Sequence, residues 1–312
     1  MVFSFPRLLC VAFGLSFLSG AAEAQNATFA PQPYPAVRYE RKIGLIPPQR
    51  VEIVRIDLKD PDVEVRVAPG GADPDGAGAY QTTLQTLTTI AERERFEVAV
   101  NGDFFAVKPN ADASGAPSGY VADKWATAVG PAATDGVVWA PASRGARPVL
   151  LLDALKRPRI EVIENVPDEA RQVVAGSHIL IQARKLAVSD EAGLIRTRHP
   201  RTAVGIADGG ATLVLVVVDG RRAGEATGLS LTELGQIMLD MGCHDALNLD
   251  GGGSSELVMR EPKNGQLQVV NRPSDNRERA VANVLGVSIR GSLRAPLTTT
   301  GTIPPTAAPP VH

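Results

Sequence analysis

The residues best suited to do chemistry lie in Ala246-Leu247-Asn248-Leu249-Asp250-Gly251-Gly252-Gly253-Ser254-Ser255, where an apolar run ends in a carboxylate, three glycines and two hydroxyls. Consecutive glycines cost conformational entropy and are retained where the backbone must take φ > 0 or let another group approach closely. Such a turn can present backbone N–H groups to an anion with Asp250 at its edge. A tight hairpin between buried strands would account for the glycines, but not for the Asp and the paired serines. Two similar sets also follow apolar runs: Asn101-Gly102-Asp103-Phe104-Phe105 and Asp219-Gly220-Arg221-Arg222. Asn-Gly and Asp-Gly are common turn pairs, so each of these alone is compatible with a plain turn.

The cations are fewer and more telling. In the basic run 196–201, most charges read as solvated surface. Arg201 differs, because it follows Pro200 at the start of an apolar segment, so its planar guanidinium can be aimed. Arg277 and Arg279 flank Glu278 just before the last apolar run. No Cys/His spacing fits a zinc site, and neither a serine nucleophile elbow nor a phosphate loop with its lysine is present.

The elements that must position these groups are mostly strands. Residues 51–58 and 63–67 cluster β-branched side chains around Asp60-Pro61-Asp62 and read as a hairpin. Leu84, Leu87, Ile90 and Ala91 recur at helical spacing within 82–95, ahead of a strand at 97–100. Further strands are expected at 137–140, 149–152, 159–163, 178–181, 202–207, 212–218, 246–249, 256–259, 267–270 and 280–289. The best-defined helix is 230–241. Ser230 and Glu233 form a capping box, Leu231, Leu234, Met238 and Met241 form an apolar stripe, and Gly242 is placed to end it. His178, inside an apolar strand, is expected to be a hydrogen-bonded core residue rather than a ligand. The expected fold is α+β: one mixed, β-rich domain over 49–290 with a few helices packed on the sheet.

The ends read differently. Arg7, the apolar run 8–18 and Ala22-Glu23-Ala24 predict a signal peptide over 1–24 cleaved before Gln25, and hence export to the periplasm or beyond. The apolar run is too short to span a bilayer. Cleavage would leave Cys243 as the sole cysteine, so no intramolecular disulfide is expected. Residues 25–48 are expected to be an extended lead-in. Residues 291–312, rich in Pro and Thr, are expected to be a disordered tail. The chain of 312 residues has a formal net charge of −2, which gives no electrostatic reason to expect a nucleic-acid or anionic-membrane partner.

The ordered set Asn101-Gly102-Asp103-Phe104-Phe105, Arg201-Thr202-Ala203-Val204-Gly205, Asp219-Gly220-Arg221, Asn248 to Ser255, and Arg279-Ala280-Val281-Ala282-Asn283 resembles the phosphodiester glycosidase family from about residue 51 to residue 289. The resemblance implies hydrolysis of a sugar-1-phosphodiester to a free sugar and a phosphomonoester. On that implication Asp250 is the nucleophile, or the base that activates water at C1. Arg201 and Arg279 hold the phosphate, and Gly251, Gly252, Gly253 and Ser254 complete an anion cradle. Asn101 and Asp219 hold sugar hydroxyls or orient Asp250. Arg221 and Ser255 join the substrate-binding set. Asp103 departs from the family pattern and is either a second carboxyl or a bystander.

The chemistry is consistent with this reading. A phosphomonoester leaving group has a second pKa of about 6 and departs with little protonation, so one carboxylate plus cations can suffice where ordinary glycosidases use two carboxyls. Expected substrates are envelope or capsular polysaccharides, or scavenged sugar phosphodiesters. No cofactor is firmly implied. A rival reading has Asp250, Asp219 and Asp103 bind Ca²⁺ or Mg²⁺ in a metal-dependent phosphodiesterase, and another makes the protein a noncatalytic envelope-binding module.

Overall fold

A computed structural model describes residues 29–45, 47–76, 78–109, 119–142, 145–188 and 196–292. The signal-peptide expectation for 1–24 lies outside these residues, as does the tail beyond Ser292.

The molecule is β-rich, with 46% of residues in strands and two α-helices among the described residues. The α+β expectation therefore holds only loosely. The largest sheet runs in the order Val37–Leu45, Pro48–Asp57, Thr212–Val218, Arg201–Ala207, Cys243–Asn248, His178–Gln182, Lys185–Leu186. A second sheet orders Leu267–Val269, Leu257–Arg260, Val98–Asn101, Asn283–Ile289 and Val63–Pro69. A third is built on Arg147–Asp153, and a small one joins Thr82–Thr83, Trp125–Ala128 and Phe105–Val107.

Alternation along the strands sorts side chains into layers. In Thr212–Val218, Leu213, Leu215 and Val217 enter the central core, while Val214, Val216 and Val218 face helix α2 (Leu231–Asp240). This strand is buried on both faces, which is why it reads as an unbroken apolar run. Across the central core, Val98, Val100, Leu285 and Val287 enter from the second sheet, and Ala99 and Val284 turn outward onto helix α1 (Leu87–Glu94). The layers are thus helix, sheet, sheet, helix. Helix α2 has the expected capping box at Ser230 and Glu233.

Three expectations are corrected. The strands expected at 51–58 and 63–67 exist but do not form a hairpin. Pro48–Asp57 pairs with Val37–Leu45 and with Thr212–Val218, whereas Val63–Pro69 pairs with Asn283–Ile289 in the other sheet. Helix α1 begins at Leu87 behind the N-cap Thr86, because Thr82–Thr83 is taken up by the small sheet. The lead-in is extended, yet it is no mere lead-in: Val37–Leu45 is an edge strand, and Phe29, Tyr34, Val37 and Tyr39 are buried in the core.

Candidate active site

The two large sheets converge where the strands Val98–Asn101 and Cys243–Asn248 end. Asp250 N–H donates to the Gly102 carbonyl at 2.9 Å, and Leu249 N–H donates to the Thr202 carbonyl at 2.9 Å. Asn101 locks this junction. Its Nδ2 donates to the Asp250 carbonyl at 2.8 Å, while its Oδ1 accepts from Thr202 Oγ1 at 2.7 Å and from Glu256 N–H at 3.2 Å. The Asn101 amide is therefore engaged by the protein on both ends and ties the Asp250 main chain to the second sheet.

The glycine triplet explains itself through what lies against it. A Cβ on Gly251 would stand 2.9 Å from the Pro200 carbonyl oxygen and 3.9 Å from Arg201 Cδ. Gly252 has φ +65°, and its Cβ would meet Arg221 Nη1 at 3.2 Å. On Gly253 a Cβ would run into the Arg279 guanidinium and lie 2.5 Å from Asp275 Oδ1. Gly252 and Gly253 leave room for the guanidiniums of Arg221 and Arg279, and Gly251 for the Pro200–Arg201 main chain, so two cations lie against the turn and a third flanks it.

Arg201 and Arg279 are held by the protein, whereas Arg221 is exposed. Buried Arg201 donates from Nε to the Leu229 carbonyl at 3.0 Å and from Nη2 to the Thr197 carbonyl at 2.8 Å. Burial first, and then the charge of Arg221, pulls its pKa down to about 10. Arg221 Nη2 lies 3.2 Å from His199 Nδ1. Arg279 donates from Nε and Nη2 to Asp275 Oδ2 at 2.9 and 2.8 Å, and its guanidinium carbon lies 4.5 Å from the centre of the Tyr120 ring.

Asp250 itself is half-buried. Its Oδ1 accepts from Gly251 N–H at 2.8 Å. Desolvation raises its pKa to about 6, against the opposing pull of the Ser254 hydroxyl, the Gly251 amide and Arg279. Asp103 is fully buried, with Oδ2 accepting from Gly130 N–H at 2.7 Å and its own N–H donating to Asn283 Oδ1 at 2.7 Å. Desolvation, and to a smaller degree the charge of Asp250, pushes its pKa up to about 7. Asp103 thus feels the Asp250 charge, while its own hydrogen bonds are made within the protein.

Two expected roles are not what the geometry supplies. The Gly251 and Gly252 amides are not bare: the first serves Asp250 Oδ1, and the second donates to the Pro200 carbonyl at 2.9 Å. Asp219 does not face Asp250. Its Oδ2 pairs with Arg50 Nε at 3.1 Å, and its Oδ1 accepts from Asn271 Nδ2 at 3.0 Å and Arg272 N–H at 2.9 Å. Its link to the turn runs through Asn271, which also donates to the Ser255 carbonyl at 3.0 Å. The trio Asp250, Asp219 and Asp103 is therefore not a shared cation site, and among the described residues no group of three or more His, Cys, Asp and Glu is arranged to hold a metal. His178 is hydrogen-bonded as expected, with Nδ1 2.9 Å from Ser177 Oγ and burial lowering its pKa, but it is half-buried and not part of the core.

Sequence reasoning passed over Tyr120, Asp275, Asn271 and Glu256. The last is a fully buried carboxyl one residue beyond the serines, and burial holds its pKa well above the usual carboxylate range. Only Glu256 carried a signal, its position directly after Gly-Gly-Gly-Ser-Ser.

The family model described as phosphodiester glycosidase matches residues 94–288. A prophage-derived uncharacterized protein of Bacillus subtilis, YomE, is 36% identical over 94 residues, which is 30% of this chain and 13% of that protein. The chain thus spans only a small part of the length of this relative. Among solved structures, the catalytic domain of zebrafish N-acetylglucosamine-1-phosphodiester alpha-N-acetylglucosaminidase, auto-inhibited by its pro-peptide, aligns with TM-score 0.59 and 20% identity over 85% of this chain and 87% of that one. A presumed exported protein of Burkholderia pseudomallei aligns with TM-score 0.54 and 20% identity over 77% and 74%. A hypothetical protein from Synechocystis gives 0.53 and 16% over 82% and 62%. At these identities the structures establish a shared fold.

Proposed function

This chain belongs to the phosphodiester glycosidase family, and from that premise we propose that it is an exported hydrolase that cleaves a sugar-1-phosphodiester at the C1–O bond. The observation that carries the reading is the placement of the Arg221 and Arg279 guanidiniums against Gly252 and Gly253, with Arg201 flanking Gly251 and feeling the Arg221 charge, directly after Asp250. Planar guanidinium groups match phosphate oxygens, and a carboxylate with a pKa of about 6 is ionised at neutral pH. Asp250 attacks C1 or activates the water that does so. The bond from C1 to the phosphate oxygen breaks, its electron pair leaves with the phosphomonoester, and the arginines stabilise the charge that develops. Water supplies the hydroxyl at C1. Asn101 holds Asp250 through the main chain, and Asp103 buffers the charge beside it. Asp219 acts at a distance, by fixing Asn271 under the turn.

Hydrolysis of a sugar-1-phosphodiester in ¹⁸O-water tests the bond assignment, because label must enter the sugar. Label in the phosphate would mean P–O cleavage instead. The residue assignment is tested by Asp250→Asn, which keeps size and shape but removes the charge. Activity should fall by several orders of magnitude while sugar-phosphate binding and folding persist. Near-normal turnover by the folded variant rules out Asp250. Saturable binding of a glycan phosphodiester to the wild-type protein without product release identifies a binding module instead.

A further inference from the structure

Aromatic residues make up only 4% of this chain, and among the described residues Tyr120 stands out as an aromatic ring 40% exposed to solvent. It is not a loose surface side chain. Its ring meets Phe105 edge to face, with centroids 5.4 Å apart at 82°. The Arg279 guanidinium lies against it, and its carbonyl accepts from Ala280 N–H at 3.3 Å. The order in space is Gly253, Arg279, Tyr120, so a rigid, solvent-facing aromatic surface borders the cation assigned to the phosphate.

We propose that Tyr120 is a saccharide-stacking subsite, which receives the apolar C–H face of a pyranose ring attached to the phosphate held by Arg279. The inference rests on the sugar-phosphodiester reading above. A pyranose has carbon-bound hydrogens on its faces and hydroxyls at its rim, and tyrosine answers both with an apolar ring and a polar tip. The ring's freedom is already spent on Phe105 and Arg279, so little ordering is left to do when ligand binds.

The test is calorimetric titration of the full chain and of Tyr120→Leu and Tyr120→Phe with a panel of hexose and N-acetylhexosamine 1-phosphates, with inorganic phosphate, and with a nucleoside monophosphate. Tyr120→Leu should weaken the best sugar phosphate by about 3- to 10-fold and leave inorganic phosphate within about twofold, while Tyr120→Phe keeps most of the sugar affinity. Equal losses for sugar phosphate and inorganic phosphate would show that Tyr120 only buttresses Arg279, and would overturn the subsite. So would unchanged binding by Tyr120→Leu, or tighter binding of the nucleotide than of every sugar phosphate. Failure of the wild-type protein to bind any sugar phosphate or inorganic phosphate would overturn the phosphate reading as well. Turnover of a sugar phosphodiester with an unaltered KM in Tyr120→Leu would remove the subsite alone.

Discussion

Gly253→Ala is a one-carbon perturbation aimed at the geometry of the site. Gly253 does not adopt a positive φ, so alanine is allowed on backbone grounds and even restricts the unfolded chain. Its Cβ would lie 2.5 Å from Asp275 Oδ1 and inside the Arg279 guanidinium. Restoring an ordinary contact near 3.5 Å requires Asp275 to move by about 1 Å and the closer Arg279 guanidinium by somewhat more. Both are side-chain ends, so the fold can yield without unfolding. A displacement of about 1 Å at a charge-stabilising group costs roughly 10²-fold in rate, or about 2.7 kcal/mol of transition-state stabilisation. The assay is kcat/KM on a sugar phosphodiester alongside Tm for Ala at each of the three glycines. Gly253→Ala should lose activity with Tm nearly unchanged. Gly251→Ala should lose Tm, because its Cβ meets main chain, the Pro200 carbonyl at 2.9 Å. Gly252→Ala, at φ +65°, should cost about 1 to 2 kcal/mol of stability. Full turnover by Gly253→Ala, or parallel losses of Tm and activity in all three, would refute the argument that this glycine exists to admit Arg279.

Two more expectations concern the carboxylates and their support. With Asp250 at a pKa of about 6, kcat/KM should rise about tenfold per pH unit below 6 and level off above it. The pKa of Asp103 is raised in the folded state to about 7, so its favourable contribution is present at low pH and lost as pH rises through 7. Unfolding titrations between pH 4 and 8 should show Asp103→Asn gaining on the wild-type protein by on the order of 4 kcal/mol, and a constant gap would contradict the buried-carboxyl assignment. Asn101→Ala strands the Asp250 carbonyl, the Glu256 N–H and the Thr202 hydroxyl. It should lower stability by about 2 to 4 kcal/mol and reduce kcat more than it raises KM, whereas a change confined to KM would return Asn101 to direct sugar contact.

What could be read in the sequence was what short-range chemistry decides. Ser230 and Glu233 satisfy each other across one turn of α2, and the unbroken run 213–218 announces a strand buried on both faces. The glycine triplet marked the site because three glycines in a row call for positive φ or close approach, and the turn has both. Partner choice was not legible. The segment Asp60-Pro61-Asp62 turns the chain, yet the strands on either side enter different sheets, and an alternating pattern carries no information about which edge it will join. Asp219 looked like Asp250 because both end an apolar run before glycine. What separates them is Arg50, 169 positions earlier in the chain, whose guanidinium holds Asp219 inward at 3.1 Å. Tyr120 gave no signal, since its role depends on Arg279 and Phe105 arriving from elsewhere.

The charge arrangement itself argues for a phosphate leaving group. A glycosidase that expels an alkoxide needs a proton donor close to the scissile oxygen. Here the groups against Gly252 and Gly253 are the Arg221 and Arg279 guanidiniums, which deliver no proton because their pKa lies far above neutrality, and the carboxyl that feels the Asp250 charge, Asp103, is fully buried and bonded to the Gly130 N–H. Even Arg201, pulled down to about 10 by burial and by Arg221, stays cationic at pH 7. Such a set stabilises a leaving group that is already acidic and departs as an anion. The same field must not disarm the carboxylate, and two opposing effects meet that condition. Burial raises the Asp250 pKa toward a useful basicity, while Ser254, the Gly251 amide and Arg279 keep it near 6, so the group is ionised at neutral pH and still basic enough to act. Removing the Arg279 charge should therefore have two separable effects: weaker phosphate binding, and an acid limb of the rate profile moved upward from pH 6.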